Sequence, residues 1–127
     1  MPAKVVDASA VAAVLFDEAE SDAVASRLAG ATLLAPALLT YELANVCLKK
    51  IGRSPNQHAA LSAAFRLRDQ LRIEEAAVNA DEVVSLAIET GLTAYDASYL
   101  WLARLMEIEL VTLDQKLNRV AIGLMAP

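Results

Sequence analysis

The chain has 127 residues, 57% hydrophobic and 5% aromatic, with a formal net charge of −5. That length bounds one domain, spanning 1–127, with a substantial core, and the charge excludes affinity for nucleic acid through bulk positive charge. With so few aromatics a stacking platform for bases is not the expected design, and a lone cysteine, Cys47, excludes an internal disulfide and fits a reducing compartment.

Lys4–Val6 reads as a first strand and runs into Asp7. Ser9–Phe16 and Ala19–Ala29 read as helices, with Gly30 as the stop. Thr32–Ala35 reads as a second strand, ended by Pro36. Leu38–Ile51 is helical, with Leu39, Leu43, Val46 and Cys47 on one face, and Gly52 ends it. Ser54 and Pro55 restart a helix as N-cap and first position, running to about Leu71. A short third strand lies near Ile73–Val78. Asn79 and Glu82 open another helix with capping-box spacing, closed by Gly91. Thr93–Met106 is helical, Glu109–Leu113 is the last strand, and a short helix beyond Asp114 is expected to end near Val120.

Strands alternating with helices predict a three-layer α/β/α sandwich around a mainly parallel sheet. The mostly apolar strands agree, because burial on both faces removes alternation. The third strand carries Glu74 and Glu75, fits least well, and belongs at an edge. The longest uncharged run, Leu28 to Tyr41, contains Gly30 and Pro36 and is shorter than the ~20 residues of a membrane helix. No signal-peptide pattern is evident. The expected protein is soluble and cytoplasmic, with no membrane partner.

All strands of a parallel sheet finish at one edge, and the helices that follow them begin there. Asp7 and Asp114 directly follow strands. Glu42 lies in the first turns of the helix after the second strand, and Asp96 in the first turn of the helix feeding the last. These four acids, distant in sequence, are expected to converge at the carboxyl edge, where open α/β sheets bind ligands. Clustered carboxylates raise one another's pKa values, and a divalent cation removes that penalty. Oxygen donors suit Mg²⁺ or Mn²⁺, and the lack of a thiol or histidine cluster argues against zinc. A metal held there can activate water and neutralise charge at a phosphate; two metals about 4 Å apart would clamp both reacting oxygens.

Each acid also has a local explanation. Asp114 fits an N-cap for the helix after it, Asp7 a cap for the helix near Ser9, and Thr93 to Asp96 a capping box. Glu82 is explained by its own box with Asn79. Glu42 resists such an account, because Leu38 and Val46 share its stripe and an acid there needs a partner or an opening in the fold.

The segments VVDASA, TYELANV, LTAYDASYLWLA and LVTLDQKL occur in the order and approximate spacing of the PIN domain. They resemble most closely the VapC-type ribonuclease toxins of bacterial and archaeal toxin–antitoxin pairs. The resemblance places the family's acidic residues on Asp7, Glu42, Asp96 and Asp114. It matches Ser9 to a small hydroxyl residue beside the first aspartate and Thr112 to a hydroxyl residue two before the last, and it sets Asn45 in the motif around the glutamate. It implies a PIN-like fold, Mg²⁺ or Mn²⁺ dependence and endonucleolytic hydrolysis of RNA. It also implies a homodimer and a cognate protein antitoxin that blocks the site. A basic antitoxin side chain is expected among the four acids, with apolar neighbours on the helices from Ser9 to Ala29.

Other features have simpler readings. Lys49, Lys50 and Arg53, and Arg66, Arg68 and Arg72, could meet RNA phosphates or form solvated helix faces. His58 reads as exposed, Cys47 as core filler, and Tyr99 and Trp101 as packing residues. A signalling receiver domain would need a second aspartate where Ala8 stands, and Lys116 poorly matches its late lysine. A haloacid-type phosphatase would need an aspartate at Ser9. A degenerate PIN fold that only binds partners would lack part of the acidic set, which here is complete.

Overall fold

The computed structural model describes residues 2–125. Four short strands form its sheet: β1 (Ala3–Val6), β2 (Thr32–Ala35), β3 (Glu74–Glu75) and β4 (Glu109–Val111). All pairings are parallel, in the order β3-β2-β1-β4. Val5 stands between Leu34 on one side and Leu110 on the other. β1 is apolar at its end because it is covered on both faces: Val5 and Val6 are fully buried, as is Val111 beside them on β4. The acidic strand, Glu74–Glu75, lies at the edge as its composition predicts, with both residues exposed.

Helices α1 (Ala8–Leu15) and α2 (Ser21–Leu28) connect β1 to β2, and α3 (Leu38–Arg53) and α4 (His58–Arg66) connect β2 to β3. Both crossovers move in one direction along the sheet, so right-handed connections place them on one face. Helices α5 (Ala80–Thr90) and α6 (Ala94–Met106) carry the chain back past β1 to β4 and therefore cover the other face. The packing agrees: α1 lies against α2 and α3, and α3 against α4, whereas α6 lies against α5, β1, β4 and the final helix, α7 (Gln115–Met125). The result is a three-layer α/β/α sandwich with a fully parallel sheet.

The third strand is shorter than Ile73–Val78, and α3 continues through Gly52 to Arg53. Three further departures from the sequence reading have a local reason. The long helix expected from Pro55 to Leu71 is α4 between two 3-10 turns, Pro55–Gln57 and Leu67–Leu71, and Ser54 makes no side-chain cap. Helix α4 buries no residue completely, so no core stripe holds it in register through those turns. The last strand stops at Val111 rather than Leu113, because the Leu113 and Asp114 N–H groups go to side-chain hydroxyls instead of a neighbouring strand. Helix α7 runs past Val120 to Met125, because Leu117, Ala121 and Leu124 continue one apolar stripe onto the core. Gly91, at φ +72°, closes α5 in the left-handed conformation that side chains disfavour.

Candidate functional site

The strand order creates a particular opening. From β1 the chain leaves toward one face of the sheet, and from β4 it leaves toward the other. The two helices diverge, and a crevice forms outside the carboxyl ends of these adjacent strands, where α/β sheets place ligands. Asp7 follows β1 and Asp114 follows β4 by three residues, so both stand at this crevice.

Asp7 is 4% exposed, and each of its oxygens is engaged. Oδ1 accepts from Ser9 Oγ at 2.7 Å and from the Ala10 N–H at 3.0 Å; Oδ2 accepts from Thr112 Oγ1 at 2.5 Å. The same hydroxyls work in the other direction. Ser9 Oγ accepts from the Leu113 N–H at 2.9 Å, and Thr112 Oγ1 from the Asp114 N–H at 3.0 Å. Every proton is accounted for: both hydroxyls donate to the carboxylate and accept a backbone N–H. This lattice ties the start of the chain to its end and fixes the turn into Asp114. Thr112→Val removes a donor from Asp7 and an acceptor from the Asp114 N–H, both poorly replaced by water. The expected loss is about 1–3 kcal/mol of unfolding free energy. Urea denaturation checks it, with Thr112→Ser retaining near wild-type stability; an unaltered Thr112→Val midpoint would remove the lattice's structural role.

Asp114 and Asp7 are also helix caps. Asp114 Oδ1 accepts from the Leu117 N–H at 2.8 Å, as Asp7 Oδ1 does from Ala10. Thr93 caps α6 by accepting from the Asp96 N–H at 3.1 Å, which leaves the Asp96 carboxylate free to face the crevice groups. The local readings therefore hold, and they place these acids rather than use them up. Both capping boxes form only in half: the Asp96 carboxylate does not return to Thr93, and Asn79 accepts from the Glu82 N–H while the Glu82 carboxylate turns to Trp101 Nε1 at 3.0 Å.

Glu42 reaches across from α3 and accepts a 2.5 Å hydrogen bond from the Tyr99 hydroxyl. Tyr99 lies one helical turn after Asp96 on α6 and is 1% exposed. Its ring packs in the core, as the sequence predicts, but its hydroxyl is part of the site. The signal for it was the spacing: a tyrosine at i+3 from Asp96 shares that residue's face.

Burial pushes the Asp7 carboxyl up, and so does the charge of Asp114, while the bonds from Thr112, Ser9 and Ala10 oppose them. Burial raises Glu42, as do Asp96 and Asp7, against the hydrogen bond from Tyr99. Burial raises Asp96, with further contributions from Asp114 and Asp7 and relief from Lys116. Burial and the Glu42 bond together raise the Tyr99 phenol, so it stays a donor. The four acids are thus near enough to feel one another. Among the described residues, no three acidic, cysteine or histidine side chains stand close enough to form a ready-made cage for a metal ion.

The remaining candidates separate clearly. Ser9 and Thr112 belong to the lattice around Asp7. Asn45 is exposed and lines a groove with Glu42. Lys50 pairs with Glu18 at 2.7 Å beside the Phe16 ring, and Arg68 lies over Phe65 and donates to its carbonyl. Both basic side chains have structural work. Lys49, Arg53, Arg66 and Arg72 are exposed, as is His58 at the start of α4. Cys47 is buried and points its thiol at the Leu61 carbonyl.

A crevice of this kind, ringed by acids from four separate elements, defines an acidic-edge α/β protein rather than a receiver domain. The match to known proteins is specific. The PIN domain profile covers residues 4–123. The chain is 30% identical over 128 aligned positions to Ribonuclease VapC3 of Pyrobaculum aerophilum, spanning 97% of this chain and 98% of that protein. Its fold is similar to the crystal structure of PAE2754 from Pyrobaculum aerophilum, with a TM-score of 0.74 at 28% identity, over 98% of this chain and 94% of that one. The chain belongs to the PIN-domain family, and its likeness is to the VapC type.

Proposed function

We propose that the protein is a metal-dependent endoribonuclease, the toxin of a toxin–antitoxin pair. The observation that carries this reading is the crevice itself. Asp7, Glu42 and Asp96 all have raised carboxyls, each raised in part by neighbouring acids, and among the described residues Lys116 is the one cation that relieves any of them. Such a set is matched by a hard divalent cation. Its donors are all oxygens, which suits Mg²⁺ or Mn²⁺. Asp7, Glu42, Asp96 and Asp114 would hold the ion; the more exposed Asp96 and Asp114 have the freedom to close on it. When bound, the ion would supply a lowered water pKa and charge neutralisation at a phosphate. The chain's own residues do the rest. Ser9 and Thr112 orient Asp7, Tyr99 orients Glu42, and the capped turn at Asp114 fixes the far wall. The family likeness, and the name of the ribonuclease relative, support RNA as the substrate.

Purified protein is expected to cut single-stranded RNA with Mn²⁺ or Mg²⁺ and to stop on addition of EDTA. Absence of any divalent-dependent cleavage would overturn the reading in favour of a PIN fold that only binds partners. The protein is proposed to act in the cytoplasm, and no described helix is long and apolar enough to cross a membrane. A homodimer is proposed from the apolar side chains exposed on α5 and α6, including Val84, Ile88, Leu105 and Met106.

The proposed antitoxin would place an arginine among the four acids, where a planar fork pairs with carboxylates. The expected apolar contact on Ser9–Ala29 needs revision. Helix α1 buries Ala10–Ala13, and no large apolar side chain of either α1 or α2 is strongly exposed. Co-expression with the antitoxin should abolish cleavage, and replacing the antitoxin's arginines by alanine should restore it. Inhibition that survives every such replacement would remove the arginine plug.

A further inference from the structure

Two of the few aromatic residues flank the acids in the sequence. Tyr41 immediately precedes Glu42, and Tyr95 immediately precedes Asp96. Both stand in the open: Tyr41 is 76% exposed and Tyr95 is 65% exposed. They come from different helices, α3 and α6, yet line one groove with Leu38, Glu42 and Asn45. Leu38, Tyr41, Glu42 and Asn45 follow the i, i+3, i+4, i+7 spacing of a single helix face. The groove is about 370 Å³, within the ~300–1,000 Å³ typical of small-ligand clefts and too large for an ion alone.

Exposed tyrosines contribute nothing to the core, so burial does not account for this pair. Glu42 lines the groove and is close enough to feel the charge of Asp96. The groove therefore adjoins the acids and is open to a nucleoside that flanks a phosphodiester held there. We infer that Tyr41 and Tyr95 form a stacking platform for an unpaired nucleobase next to the scissile phosphate, with the Asn45 amide facing the base edge. This rests on the ribonuclease reading and deepens it. Aromatics are few, so such a platform depends on the placement of two of them rather than on their number. Stacking also suits a chain of net charge −5: its affinity comes from π-faces rather than phosphate neutralisation. A base in a duplex keeps its faces covered, so the platform selects single strands.

The test measures steady-state cleavage of a short single-stranded RNA pool of random sequence in Mn²⁺, with anisotropy of the labelled pool in EDTA as a separate binding assay. Tyr41→Leu and Tyr95→Leu are each expected to raise KM and weaken binding about tenfold, the loss of one stacked base, with kcat little changed. Tyr→Phe and Tyr→Trp at either position should retain wild-type values, because they keep the ring. Binding should also fall only slowly with salt, with a log–log slope no steeper than about −1, against roughly −0.7 for every phosphate contact. Wild-type KM in the Leu variants, or Phe variants as impaired as Leu, would overturn the platform. So would Leu variants that change the oligomeric state and recover wild-type KM at high protein concentration, since the rings would then belong to an interface between copies. Cleavage at wild-type KM after both Leu changes removes the platform and leaves the nuclease standing. Tyrosine-dependent binding without any cleavage removes the nuclease and leaves the platform standing.

Discussion

Asp96→Asn is expected to abolish divalent-dependent RNA cleavage while leaving the protein folded. The Asp96 carboxylate makes no cap, since its backbone N–H alone serves Thr93, so the fold does not depend on its charge. The site does. Removing one preorganised charge of this kind lowers kcat on the order of 10²- to 10³-fold. Stability should move the other way. Burial and the charges of Asp114 and Asp7 hold the Asp96 carboxyl above its ordinary value. An acid raised in the folded state contributes stability below its unfolded pKa and loses it as pH rises through the folded one. At neutral pH the metal-free wild type therefore carries a penalty that asparagine lacks. Asp96 is partly exposed, so solvent screens the effect, and the expected rise in Tm is on the order of 1–3 °C. It should vanish at pH values below 3.8, the ordinary value of the group. Added Mn²⁺ should reverse the order, stabilising the wild type more than the variant. Wild-type cleavage by Asp96→Asn, still sensitive to EDTA, would remove the four-acid site.

Tyr99→Phe is expected to weaken Mn²⁺ binding on the order of 10- to 100-fold, the usual cost of losing a partner that orients a metal ligand. Phenylalanine keeps the ring in the core and deletes only the hydroxyl that donates to Glu42. Glu42 then loses both its orientation and the bond that opposes its burial. Raising Mn²⁺ should restore most of kcat, because the chemistry is unchanged once the ion is held. Isothermal titration with Mn²⁺ measures the affinity directly. A purely structural hydroxyl would instead lower Tm with no change in metal affinity, and that result would take Tyr99 out of the site.

Much of this arrangement was legible before any coordinates. Strands that run into Asp7 and Asp114 declare the carboxyl edge, because a parallel sheet has only one. The acidic pair Glu74–Glu75 declares its own strand an edge. Less legible was whatever depended on where a side chain turns. Sequence spacing placed Glu82 in a reciprocal cap, but a nearby indole N–H won its carboxylate. Tyr99 read as packing because a ring dominates its composition-level description, whereas its function lies in one oxygen. The end of α7 was misjudged because Leu117, Ala121 and Leu124 find a core to lie on, and tertiary burial outweighs the local signals for stopping. Tyr41 and Tyr95 were invisible as a pair, since only the meeting of α3 and α6 sets them across one groove.

The hydroxyl lattice joins Ser9 to Leu113 and Asp7 to Thr112, and this has a consequence for the life of the chain during synthesis. The ribosome delivers Asp7 long before Asp114. Strand β4 pairs with β1 alone, so until it emerges the centre has one wall and no second. A product that stops before β4 lacks Thr112 and Asp114, and the proposed site is expected to stay unformed in it.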